Sequence, residues 1–149
     1  MAGILWALLG VMAGAFIAVQ APVNAELSRG LGLPIAAAAI SFAAGAVVLG
    51  LLSAGVVKAQ GIALDWRAPA PWLFVAGGCL GGAFVTSATI LAPRLGAAAL
   101  MAFLVTGQLL AGIVLDRIGF LGVAVREVST GRVLGALLLI AGALMIRIY

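Results

Sequence analysis

The chain has 149 residues, 66% of them hydrophobic and 8% charged, and carries a net charge of +4. A soluble domain carries about 25% charged residues, so this composition excludes an ordinary water-exposed globule. With no histidine and a single cysteine, it also excludes imidazole or thiolate metal clusters, an intrachain disulfide and histidine-based catalysis.

The first apolar run covers residues 4–27. That is close to the roughly 20 residues that cross about 30 Å of hydrocarbon. No Lys or Arg precedes it, and cleavage after Ala21 would fall directly before Pro22. The run therefore reads as a retained first helix rather than a signal peptide. It closes on Val19-Gln20-Ala21-Pro22-Val23-Asn24-Ala25-Glu26. Gln20 and Asn24 are four apart and share a helix face. Pro22 lacks an N–H and frees the carbonyl of Ala18, which favours a kink beside the two amides. Such a place can bind a solute, or the amides can bond between helices. Glu26 is a candidate coupling carboxylate if the helix ends in a cavity. The alternative is an interfacial pair with Arg29, three residues on.

A short link over residues 28–33 leads into the second run, 34–57. A longer link, 58–71, precedes the third run, 72–92, which has Cys79 in its middle. The third run carries Thr86, Ser87 and Thr89 in the same half of the membrane as Gln20 and Asn24. Their hydroxyls either back-bond to carbonyls four residues earlier or neighbour a cavity. Gly10 to Phe16 in the first run matches Gly78 to Phe84 in the third. A duplicated helix pair, or a Gly- and Ala-rich composition alone, would produce that match.

The link 93–96 is again short, and short links make antiparallel neighbours. The fourth run, 97–115, contains Thr106-Gly107-Gln108. Gln108 sits near mid-membrane, where an amide faces protein or water rather than lipid, which makes it the leading site residue. Asp116 and Arg117 follow at the helix exit as interfacial anchors. The link 116–132 leads to the fifth run, 133–148. Gly131, Gly135 and Gly142 form a small-residue stripe on it. Such stripes let helices approach closely, either within the chain or, for Gly135 and Gly142, between two copies.

Helices are the only reading of five such runs, because barrel strands need just 9–11 residues. The fold class expected is all-α: a polytopic membrane protein, a five-helix bundle forming a single domain over 1–149. Trp6, Trp66, Trp72 and Tyr149 lie near span boundaries, where amphipathic rings settle. The N-terminal side collects Lys58, Arg67, Arg117, Arg126 and Arg132, and the other side Arg29, Arg94 and Arg147. Five against three sets the orientation only weakly, which permits insertion both ways. The basic residues form no phosphate-tracking stripe, so nucleic acid is not an expected partner. No phosphate loop and no nucleophile with a base beside it appears. Neither an enzyme nor a cofactor is expected.

Three groups of residues carry a resemblance. They are Val19-Gln20-x-Pro22-x-Asn24-x-x-Leu27, then Ala92-Pro93-Arg94-Leu95-Gly96, and Thr106-Gly107-Gln108 with Asp116-x-x-Gly119. Together they resemble the YdcZ-type branch of the drug/metabolite transporter superfamily, over essentially the whole chain. That branch is similar to one half of the ten-helix transporters, which look like two inverted five-helix units. The resemblance implies a multi-pass protein of the bacterial inner membrane that transports a small solute by alternating access across a dimer. It implies no catalytic residue. The candidate substrate-binding residues are Gln20, Asn24, Ser87, Thr106 and Gln108, and the expected partner is a second copy in antiparallel orientation. A flippase subunit for a lipid-linked substrate, a non-transporting scaffold subunit, and a pairing with a second paralogous subunit are the alternatives.

Overall fold

The computed structural model describes residues 2–149, so residue 1 of the expected domain lies outside the described residues. Its five α-helices are α1 (Ala2–Leu31), α2 (Pro34–Gln60), α3 (Leu73–Leu95), α4 (Ala97–Ile118) and α5 (Thr130–Ile148). All five are long and apolar enough to cross a membrane, and no strand occurs among the described residues. The expected all-helical membrane bundle is what the chain forms.

Most helices overrun the apolar runs by about a turn. The runs end where polar residues begin, but the helices end where glycine permits a left-handed backbone. Gly32, Gly61, Gly96 and Gly119 have φ of 75°, 65°, 78° and 65°. Ser28, Lys58 and Arg94 therefore lie inside helices rather than in links. Pro93 belongs to the last turn of α3, and α1 continues through Pro22. A proline costs one backbone bond but keeps a helical φ, so a long helix can absorb it when its neighbours stay paired.

The chain divides into two compact units, one running to Pro93 and the other from Arg94 to Tyr149. In the first, α1 packs on α2. Ala21, Asn24 and Ala25 of α1 are buried, as are Ala37 and Ala38 of α2. Small side chains let the two backbones approach, which is how helices associate where lipid already solvates apolar surface. Phe42 of α2 reaches over Gly81 of α3, where a Cβ would lie 2.9 Å from the ring. In the loop between α2 and α3, Asp65 Oδ1 accepts the N–H groups of Arg67 and Ala68 at 2.9 and 3.2 Å, a local turn of the kind Asp favours. Trp66 stacks on Phe74 with ring centroids 6.5 Å apart.

In the second unit α4 packs on α5. Ala99, Leu100 and Thr106 of α4 and Ala136 and Ala143 of α5 are buried. Gly119 caps α4, its N–H bonding to the Leu115 carbonyl, and a short 3-10 turn, Phe120–Gly122, follows. The connector then folds back, and the Arg126 N–H donates to the Asp116 carbonyl at 2.9 Å. Ser129 caps α5 by accepting from the Arg132 N–H. Gly119 carries two constraints at once. Its backbone is left-handed, and an added Cβ would meet Val125 Cγ2 at 2.7 Å. Gly119→Ala is expected to destabilise the α4–α5 hairpin by about 1–2 kcal/mol, read as a lower midpoint in detergent unfolding. An unchanged midpoint would mean that the connector rearranges freely.

Large apolar side chains such as Leu5, Phe16, Leu51, Leu80 and Leu138 are exposed along the helices. In water so much apolar surface would aggregate. In a bilayer it is the surface that meets lipid.

Candidate functional site

Polar side chains within the helices gather in both units. In the first, Gln20 lies on the exposed surface of α1 and, with Ser41, Phe42, Gly45 and Leu49 of α2, lines a hollow of about 290 Å³. Asn24, one turn further, is only 3% exposed, and its Nδ2 has no hydrogen-bond partner among the described residues. A buried amide donor left unpaired costs free energy. Glu26 bonds to Arg29, and both side chains are largely exposed. This is the pairing that the three-residue spacing allows. On α3, Thr89 donates to the Val85 carbonyl at 2.8 Å, so its hydroxyl is absorbed by its own helix. Ser87 is exposed, and Thr86 lines a largely apolar hollow of about 440 Å³ that also touches Phe42 and Cys79.

In the second unit, Thr106 is buried and donates to the Ala102 carbonyl at 2.7 Å. Gln108 is exposed and opens into a groove of about 350 Å³ between α4 and α5. Ile113, Gly112 and Asp116 of α4 line it, with Arg132 and Gly135 of α5 opposite. Gln108, Gly112 and Asp116 are spaced by four, so they stack along one face of α4. Eight residues at 1.5 Å each put the amide about 12 Å from the carboxylate along the helix axis. At that far end, Arg132 Nη1 donates to Asp116 Oδ2 at 3.0 Å, with both side chains less than a third exposed.

Gly135 and Gly142 both lie on the side of α5 that meets α4. Gly135 walls the Gln108 groove, and Gly142 lines a second, apolar hollow of about 370 Å³ with Met101, Val105 and Leu139. A Cβ on either glycine would meet nothing within 4 Å. Gln20, Asn24 and Ser87 thus belong to the first unit, and Gln108 and Thr106 to the second. Within the second, Gln108 is joined by two residues that sequence reasoning passed over as site residues, Asp116 and Arg132. The four-residue spacing from Gln108 through Gly112 to Asp116 was the readable signal.

The sequence profile of a family described as "Putative inner membrane exporter, YdcZ" matches residues 5–145. No curated protein and no solved structure matches the chain significantly.

Proposed function

The chain belongs to the YdcZ branch of the drug/metabolite transporters, and from that premise we propose that it exports a small solute from a bacterial cell through the α4–α5 groove. The observation that carries this reading is the groove around Gln108. A polar amide on a helix of a membrane span opens there into a hollow of about 350 Å³ that ends on an ion pair. Intramembrane polar groups are costly unless they face protein or water, and they mark solute paths.

The working unit we propose is a homodimer of inverted copies. Five helices enclose little space, and many transporters pair two inverted halves around a midplane site. Five basic residues against three permit insertion in both orientations. The apolar hollow beside Gly142 is open enough to take apolar side chains of the second copy. Rocking of the two copies would open the groove to one side and then to the other. A single cysteine tests the pairing: Ala63→Cys in the α2–α3 loop, with Cys79 replaced by Ser, treated with a membrane-impermeant maleimide. Inverted pairing predicts two populations, labelled from opposite faces. Labelling from one face alone contradicts it.

Transport itself is tested in proteoliposomes loaded with a hydrophilic metabolite extract, with efflux followed by mass spectrometry. The expected result is a defined set of small solutes leaving faster than from protein-free vesicles. Equal leakage of every solute from both preparations would overturn the reading.

A further inference from the structure

The ion pair at the end of the Gln108 groove is built in an unusual way. Asp116 lies in the last turn of α4 and Arg132 in the first turn of α5. Helix dipoles favour cations at C-termini and anions at N-termini, so both charges stand at the wrong ends of their helices. A pair that served only to hold the hairpin would gain from exchanging its two members. As placed, each helix end strengthens the field of its own side chain, negative around Asp116 and positive around Arg132. The contact is also incomplete. One guanidinium nitrogen meets one carboxylate oxygen, leaving the other oxygen and the other N–H groups of the pair without a protein partner among the described residues. Both side chains keep some exposure, 27% and 29%, on the groove that Gln108 shares.

We propose that the solute taken by this groove is a compact zwitterion with an apolar body. This names the substrate class of the transport reading above and rests on it. The anionic group of the solute takes the place of Asp116 on Arg132, and its cationic group takes the place of Arg132 on Asp116. The apolar body lies along Gly112, Ile113 and Gly135 toward Gln108. Charge balance selects this class. A zwitterion replaces one internal ion pair by two pairs with the solute and leaves no charge alone. A solute with one charge would engage one member of the pair and strand the other, partly buried, which is the costly outcome. The groove volume of about 350 Å³ falls near the lower end of small-molecule sites, about 300–1,000 Å³. That suits a solute the size of an amino acid with an apolar side chain.

The test uses the same efflux assay, with leucine and phenylalanine added to the metabolite extract as tracers. Solutes that leave faster through the wild-type protein are expected to be zwitterions with apolar bodies. The double exchange Asp116→Arg with Arg132→Asp keeps an ion pair and sets both charges in accord with the helix dipoles. It is expected to unfold at the wild-type temperature or above, yet to lower zwitterion efflux at least tenfold, because the solute would have to bind reversed. A purely structural pair predicts that the exchange retains full efflux, and that result would overturn the proposal. So would accelerated efflux confined to solutes with one charge or none, a wild-type result that does not depend on the variant folding. In that case the transport reading stands and only the substrate class falls. No accelerated efflux of any solute would remove both.

Discussion

Replacing Gln108 with leucine is expected to lower solute efflux from proteoliposomes at least tenfold while leaving the yield and thermal unfolding of the protein unchanged. The side chain is exposed on the groove and makes no hydrogen bond among the described residues, so its removal strands no partner there. A leucine there also suits a membrane helix better than an amide does. What is lost is the polar contact at the end of the groove away from the ion pair, which a solute's polar groups meet on their way to the pair. A tenfold loss corresponds to about 1.4 kcal/mol, within reach of one or two hydrogen bonds made to the solute as it enters. Gln108→Glu would add a third charge to a groove that already holds a neutralised pair, and it provides a control of opposite chemistry. Equal efflux from wild type and Gln108→Leu would detach the amide from transport.

Filling the groove should be more damaging than removing its amide. Gly112 lies between Gln108 and Asp116 on the same face of α4, and a Cβ built on it meets nothing within 4 Å. Gly112→Ala should therefore fold normally and transport at near wild-type rate, and alanine favours the helix by about 1 kcal/mol over glycine. Gly112→Phe should also fold, because its ring can lie in the open hollow. In doing so it occupies the space the solute needs. Efflux is expected to fall to the level of protein-free vesicles, with thermal stability at or above wild type. Retained transport by a folded Gly112→Phe protein would place the solute path elsewhere, with the hollow beside Gln20 and Ser41 as the next candidate.

The five spans were legible because apolar runs of membrane length leave no other fold for the backbone. Their ends were less so. Composition changes at Ser28, Lys58 and Pro93, whereas the helices stop at Gly32, Gly61 and Gly96, where the backbone turns left-handed. Within the candidate site, Gln108 stood out as an amide in an apolar run. Asp116 did not, since a charge at a helix exit is ordinarily an anchor. Its pairing with Arg132 spans sixteen residues and depends on the Gly119 cap and the Arg126 N–H that folds the connector back. No local pattern encodes that return. Gly135 shows the converse difficulty. A small residue on a terminal helix suits a partner chain or a neighbouring helix equally well, and the structure sets it against the α4 groove of its own chain. Thr106, placed beside Gln108 in sequence, turns away from the groove's lining and spends its hydroxyl on the Ala102 carbonyl.

The proposed path takes the solute through the α4–α5 groove of an inverted pair of chains. A structure of the protein in lipid nanodiscs, with a solute identified by efflux bound to it, tests that path. The expected result is two copies of opposite orientation, with solute density between Gln108 and the Asp116–Arg132 pair. Solute density confined to the hollow at Gln20 and Ser41, with the α4–α5 groove filled by lipid, would contradict it.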